Sequence, residues 1–463
     1  MIQRCISLIL IVVLGGPFAA NADTQVPSSK SEITLSFAPL VKKSAPAVVN
    51  IYAQRVIEAR ISPFQNDPFF GNFFKDFGNR RPQVQNSLGS GVILSKDGIV
   101  VSNYHVVAGA TDIRVVLNDG QEFSAKPLLS DEQSDLAVLR IDTPAHLPFL
   151  NLRDSETVEV GELVLAIGNP FGVGQTVSSG IVSGLARSGA AQGSGRGYFI
   201  QTDAPINPGN SGGALVDTSG LLIGINTSIL TRSGGSNGIG FAIPASLVRQ
   251  FVLQAKAGFS GFQRPWAGMS GQPLTPDLAK GLGLDLAAGM VIIALHELSP
   301  FRVAGFKVGD VVAAIQGQAV TTPAEMMYRL SVAGIGTHAD VTRVNSEGRT
   351  DILVELATAP ENPPREIIQF DRRSFFPGLI ISSINPAVQA ELQLPWDSKG
   401  FIVIEPGPLA VRIGLKTGDI IREVNGRKVQ TGNDIDDFLG ENNRRGEILI
   451  QRGPRQIKLR FRL

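Results

Sequence analysis

At roughly 150 residues per domain, a chain of 463 residues predicts about three domains and ample length to bury their cores. Its 42 basic and 41 acidic residues leave a formal charge of +1, and no basic block of the kind that drives nucleic-acid binding stands out. The single cysteine, Cys5, excludes an internal disulfide, and no cluster of metal-ligand residues is evident, so neither a metal nor any other cofactor is expected.

Residues 1–22 have the layout of a secretory signal: Arg4, the largely apolar run Ile6 to Leu14, then the small-residue pattern Ala20-Asn21-Ala22, with cleavage expected after Ala22. The apolar run is too short to span a bilayer comfortably. Its removal would take Arg4 and Cys5 with it, leaving a neutral chain without cysteine. Phe37 to Ser44 reads as a short helix, and Ala47 to Ile51 begins the first strand. Pro63 to Gly78 then carries six phenylalanines on a Gly/Pro/Asn-rich loop, more than so short a loop can bury, so part of it is expected to meet a partner subunit or act as a lid. From Gly89 to Val248 short apolar strands alternate with tight turns. Asp97-Gly98 and Asp119-Gly120 suit primed hairpin turns. The spacing by itself says only all-β. The glycine-rich stretches 168–174 and 188–197 lack the Gly-Lys-Ser/Thr ending of a phosphate loop.

Gly209-Asn210-Ser211-Gly212-Gly213 holds a serine between glycines, a backbone that lets a substrate carbonyl approach main-chain N–H groups. A serine nucleophile needs a base and oxyanion donors. Of His105, His146, His296 and His338, only His105 sits in an apolar stretch, Val100 to Val107, read as a strand followed by a short polar turn. Asp135 follows where a polar loop turns into the apolar run Leu136 to Leu139. The order His, Asp, Ser is that of the chymotrypsin-type proteases.

Beyond residue 262 the chain repeats itself. Gly305-Phe306-Lys307-Val308-Gly309-Asp310-Val311-Val312 recurs as Gly414-Leu415-Lys416-Thr417-Gly418-Asp419-Ile420-Ile421, and Gly317 is echoed by Gly426, all at an offset of 109. Two like domains are expected. The terminal strip Ile457 to Leu463 alternates apolar and basic residues and reads as a strand with one solvated face.

The blocks Ser102 to Val107, Ser134 to Val138 and Thr202 to Leu215 resemble the three active-site blocks of the HtrA (Deg) serine proteases. Gly89 to Ile93, Gly168 to Gly172 and Gly238 to Pro244 are similar to further blocks in the family's order. The resemblance implies a mainly β protein: a chymotrypsin-like double β-barrel protease domain over 23–258, followed by two small α+β PDZ domains over 262–360 and 366–463. It implies His105, Asp135 and Ser211 as catalytic residues, with Gly209 and Ser211 as oxyanion donors. Ile206, Asn210 and the run Thr227, Ser228, Ile229, Leu230, Thr231 would line an aliphatic substrate pocket. Trp266, Ala267, Gly268 and Met269 match the first PDZ copy's carboxylate loop, and Phe376 to Leu379 match the second's, where Pro377 removes a donor. Arg187 matches a sensor-loop position that relays activation to a resting loop ordered by substrate. The departure of Pro205 from the family's usual alanine would stiffen the loop before Ser211. Partners implied are unfolded protein substrates, carboxyl-terminal peptides and self-association as trimers or multiples of trimers. Nucleic acid is not expected, peripheral membrane association stays open, and the expected location is the periplasm. Against proteolysis in envelope quality control stand two alternatives, a holdase-type chaperone and a PDZ scaffold with subordinate proteolysis.

Overall fold

The computed structural model describes residues 36–57, 83–143, 146–169, 174–187, 198–207, 209–229, 238–440 and 445–462. The expected signal, the phenylalanine-rich loop and the glycine-rich stretch 188–197 lie outside them. Among the described residues no helix is long and apolar enough to cross a membrane.

A helix α1 (Ala38–Ser44) leads into β1 (Val48–Ile57). With β2 (Gln83–Ile93), β3 (Ile99–Ser102), β4 (Asp112–Val116), β5 (Glu122–Asp131) and β6 (Leu136–Ile141) it closes a barrel in the order β1-β2-β3-β6-β5-β4. A second barrel, β10-β11-β12-β9-β8-β7, is built from β7 (Leu163–Gly168), β8 (Thr176–Arg187), β9 (Phe199–Thr202), β10 (Ala214–Asp217), β11 (Leu222–Ile229) and β12 (Gly240–Pro244). The short strands, buried on both faces where they cross the barrel, explain the continuous Val/Ile/Leu runs: all of β3, β10 and β12 is buried. Closure leaves neither sheet an open edge.

The turns at the expected hairpins differ from the primed type. Gly98 (φ 90°) and Gly120 (φ 86°) are left-handed, but Asp97 and Asp119 are not, whereas a type I′ turn needs both central residues at positive φ. Instead Gly98 N–H donates to Ser95 O and Gly120 N–H to Leu117 O, so each glycine ends a four-residue i to i+3 turn.

Helix α2 (Tyr104–Val107) follows β3, and α3 (Ala245–Lys256) follows β12. Helix α3 buries Leu247, Val248 and Phe251, and Phe251 stacks on Phe262 with ring centroids 3.9 Å apart. That contact ties the outgoing chain to the barrels.

Two smaller sheets follow. The first joins β13 (Met269–Pro273), β14 (Met290–Leu295), β15 (Val311–Ile315), β17 (His338–Asn345) and β18 (Gly348–Glu355) in that order, with β16 (Gln318–Ala319) beside β15. Helices α4 (Pro276–Gly281), α5 (Pro300–Val303) and α6 (Pro323–Ala333) accompany it. The second sheet runs β19 (Ile367–Gln369), β20 (Ile380–Ser383), β21 (Phe401–Glu405), β22 (Ile420–Val424), β24 (Arg445–Arg452) and β25 (Arg455–Arg462), with β23 (Arg427–Lys428) beside β22. Its helices are α7 (Pro386–Glu391), α8 (Gly407–Arg412) and α9 (Asp434–Gly440).

The sequence repeat is a repeat of hydrogen bonds. Lys307 N–H donates to Asp310 Oδ2 and Lys416 N–H to Asp419 Oδ2, each at 2.8 Å. Gly309 N–H reaches Ile292 O, as Gly418 N–H reaches Val403 O. Gly305 and Gly414 share φ values of 95° and 93°, which explains why glycine recurs there. The second unit differs by the added strand β19.

The first sheet docks on the barrels through α6. Tyr328 stacks on Tyr198 at 3.8 Å and its hydroxyl donates to Glu156 at 3.0 Å. Arg329 contacts the Glu156 carboxylate and donates to the Tyr198 hydroxyl at 2.9 Å. Burial pushes the Tyr198 phenol up to about 12 and the Tyr328 phenol well above its usual value, and it lowers the Arg329 guanidinium to about 10.

Candidate active site

His105 lies on the helical turn α2 rather than on a strand, because the buried run β3 stops at Ser102. The turn buries Val106 and Val107, which leaves the His105 side chain half exposed in the cleft. Gly89 makes this packing possible, since a Cβ there would press on both Val106 methyls at 2.6–2.7 Å.

Asp135 is reached by a tight turn in which its N–H donates to Glu132 O, and its φ of 52° is one that Asp tolerates better than most side chains. The strained position aims a nearly buried carboxylate under the imidazole. Both Asp135 oxygens stand 2.9 Å from His105 Nδ1, and Oδ1 also accepts the His105 backbone N–H at 3.0 Å. With Nδ1–H donating to the carboxylate, the Nε2 lone pair faces the cleft. Asn103 Nδ2 donates to Asp135 O, and the Thr227 hydroxyl donates to Asp135 Oδ2 at 2.6 Å. Thr227, expected to line the substrate pocket, therefore holds the carboxylate from the second barrel. A hydroxyl facing a buried acid across 92 residues of sequence has no local signal.

Asn210 N–H donates to Asn207 O at 2.9 Å, closing a four-residue turn with Gly209 at φ 97° in third place. That left-handed backbone is one glycine adopts without steric cost. Among the described residues no acceptor takes the N–H of Gly209 or Ser211. The Ser211 hydroxyl donates to Thr227 O at 2.7 Å, and no hydrogen bond to His105 is present among the described residues.

The first barrel braces this turn. Ser90 Oγ donates to Gly209 O at 2.6 Å and accepts the Asn169 N–H at 2.8 Å, while Ser90 N–H donates to Ser211 O at 2.8 Å. Gly212, at φ 84°, lies so close to Ser90 O and Ser102 Oγ that a Cβ would overlap them. The blocks around Ser90 and Asn169 thus serve the serine directly, a role the motifs alone did not disclose.

The other site residues fall as follows. Asn210 Oδ1 accepts from the Thr176 hydroxyl, which makes its buried side chain a tether for the turn rather than a pocket wall. Ile206 is 1 % exposed and packs with Ala204, Leu215 and Ala242 inside the second barrel, so it presents no surface to a substrate. Ser228 and Ile229 end β11, while Leu230 and Thr231 lie outside the described residues. Arg187 ends β8 opposite Phe199. Trp266 to Met269 line a cavity of about 290 Å³ with His296, Met327 and, from the second unit, Leu394 and Trp396, and Ser211 is not among its walls. Among the described residues no group of three acidic, histidine or cysteine side chains could hold a metal.

The model of the trypsin-like peptidase domain matches residues 89–225, and that of the PDZ domain matches residues 401–452. Over 445 residues the chain is 37 % identical to a probable periplasmic serine protease do/HhoA-like of Haemophilus influenzae, covering 92 % of each. It is 34 % identical to the periplasmic serine endoprotease DegP of Escherichia coli, covering 96 % of this chain and 95 % of the relative. With the periplasmic pH-dependent serine endoprotease DegQ of the same organism it shares 36 % identity over 92 % and 91 % of the two chains. Among solved structures, the HtrA-type protease AlgW with a tripeptide aligns with a TM-score of 0.53 and 38 % identity over 70 % of this chain and 98 % of that one. The chain belongs to the HtrA (DegP-type) family of trypsin-like serine endoproteases.

Proposed function

We propose that the endoprotease reaction runs on Ser211, His105 and Asp135, with the free N–H groups of Gly209 and Ser211 as oxyanion donors. The observation that carries this is the two-oxygen grip of Asp135 on His105 Nδ1, beside a serine whose turn leaves both donors without an acceptor among the described residues. In the first step the Ser211 hydroxyl turns from Thr227 O to His105 Nε2. The imidazole takes its proton as Oγ attacks the peptide carbonyl, and Asp135 stabilises the imidazolium. The carbonyl oxygen becomes the anion held by the two N–H groups, each worth roughly 2.7–4 kcal/mol in comparable sites. His105 then returns the proton to the leaving amine, and water releases the acyl group by the same steps. The left-handed Gly209, and N–H groups of Gly209 and Ser211 that no acceptor among the described residues takes, support a site already formed in the absence of substrate. In that case the Arg187 loop would adjust its population rather than build it.

Both carboxyl-terminal sheets are read as PDZ domains, over 262–360 and 366–463, on the strength of their shared hydrogen bonds and strand order. In the first, no backbone acceptor among the described residues takes the Ala267 or Gly268 N–H, which suits capture of a peptide carboxylate at the open edge of β13. The substrates are unfolded proteins met in the periplasm after export on residues 1–22, and the protein assembles as trimers or multiples of them. The relatives' periplasmic location supports the address.

A time course on casein with wild type and Ser211→Ala tests this reading. Fragments from wild type alone, with an unchanged melting temperature for the variant and a turnover loss of about 10⁶, are expected. Suppressed aggregation without fragments from wild type would favour the holdase. Sedimentation of the full chain at monomer mass would overturn the assembly.

A further inference from the structure

The two carboxyl-terminal units differ at one edge. In the first, β13 ends the sheet and its outer edge is unpaired by any described strand. In the second, the equivalent strand β20 is covered by β19, antiparallel, with Ile367 opposite Ser382, Ile368 opposite Ile381 and Gln369 opposite Ile380. The ladder extends beyond the strand, since Ser383 N–H donates to Glu366 O and Phe370 N–H to Leu379 O, each at 2.9 Å. Gly378 N–H, in the loop corresponding to the first unit's Gly268, donates to Phe370 O at 3.0 Å. A donor without a backbone acceptor among the described residues in one unit is spent in the other on the chain's own carbonyl.

Direction and side chains fit the same pattern. The segment runs towards the loop, as an antiparallel peptide ending there would. Phe370, 5 % exposed, sits in the core with Phe376, Leu379 and Ile381. Ile368 packs on the same cluster and lies where a side chain on Gly432, just before α9, would have to go. Ile367 and Gln369 face outward. Two apolar side chains in alternate places, one at the loop and one between β20 and the start of α9, reproduce what β-strand addition offers to an external peptide. The incoming chain of the first unit cannot do this, because Phe262 is stacked on Phe251 and Arg264 is paired with Asp131.

We propose that Ile367–Phe370 is a built-in ligand of the second unit, closing to external peptides a groove whose chemistry fits an apolar carboxyl-terminal residue and another apolar residue two places before it. This rests on reading the second unit as a PDZ domain. A tethered segment of about 10 µM intrinsic affinity acts at an effective concentration of about 1 mM, so it cuts the apparent affinity of any competing peptide about 100-fold. External carboxyl termini are thereby directed to Trp266–Met269 of the first unit.

The test is segment-resolved hydrogen–deuterium exchange on the full chain, in a Ser211→Ala background so that the probe survives. The probe is the free-carboxyl peptide Glu-Ile-Ile-Gln-Phe, the sequence of residues 366–370. Without peptide, residues 379–383 should be protected, and peptide should slow exchange only at 267–273. Ile368→Glu should expose 379–383, and peptide should restore their protection at a concentration about 100-fold below any that acts there in the parent chain. The disulfide of Gln369→Cys/Ile380→Cys, whose positions face each other across the ladder, should leave the parent pattern unchanged. Fast exchange at 379–383 in the parent chain, or peptide protecting them there as readily as in Ile368→Glu, overturns the proposal. Protection at 267–273 together with an exposed 379–383 in Ile368→Glu that no peptide restores overturns the ligand role while sparing the first unit. No protection at either segment in any variant overturns the PDZ reading itself.

Discussion

Thr227→Val isolates the contribution of one hydroxyl to the support that Asp135 gives His105. The side chain is 2 % exposed and valine nearly matches its volume, so the cleft keeps its shape. What goes is the 2.6 Å donation to Asp135 Oδ2. That oxygen then faces His105 Nδ1 alone, while Oδ1 keeps the His105 backbone N–H. A hydrogen bond to a charged group is worth about 1.5–3 kcal/mol, and it matters most while the carboxylate supports the imidazolium, so kcat should fall about 10- to 100-fold. The backbone carbonyl of Thr227 still receives the Ser211 hydroxyl, and no substrate contact is removed, so KM should hold. Initial rates on a chromogenic peptide give the split between kcat and KM. Thr227→Ser, which restores the donor, should recover most of the rate. A valine variant within about twofold of wild type, or a serine variant equally impaired, would refute the positioning role assigned to this hydroxyl.

Gly212→Ala should cost at least about 1–3 kcal/mol from its left-handed backbone alone, and more from the overlap with Ser90 O, read as a lower melting temperature together with lost activity. Arg329→Met should loosen the first sheet unit from the barrels by about 1–3 kcal/mol, seen as faster proteolytic nicking around 257–265, because it strips Glu156 and the Tyr198 hydroxyl of a charged donor. Arg187→Ala should depress cleavage stimulated by apolar carboxyl-terminal peptides without changing their binding at Trp266–Met269; an undiminished response would rule out a relay there. Neither EDTA nor thiol reductants should slow the purified enzyme, and strong inhibition by a chelator would contradict a serine mechanism without metal.

Much of this protein is determined by local chemistry that its sequence displays. Runs such as Ile99 to Ser102, bounded by turn residues, read as buried strands, glycines at 305 and 414 mark the same left-handed position in a repeated unit, and Ser211 between glycines suits an acyl-transfer turn. Family resemblance added the pairing of His105 with Asp135, which composition could not. Other features depend on residues far apart in sequence meeting in space. Thr227 reads as a pocket residue until the second barrel brings its hydroxyl to Asp135, and Ile206 and Asn210 read as substrate contacts until packing turns one inward and ties the other to Thr176. The primed turns failed for a similar reason, because an Asp-Gly pair permits several turns and the strands around it select one. Likewise the Pro377 that cast doubt on the second unit's loop mattered less than a strand no motif foretold. Only the folded edge of β20, with its donors seeking partners, decides that Ile367–Phe370 fills it, since hydrogen-bond satisfaction belongs to the assembled sheet and not to the segment.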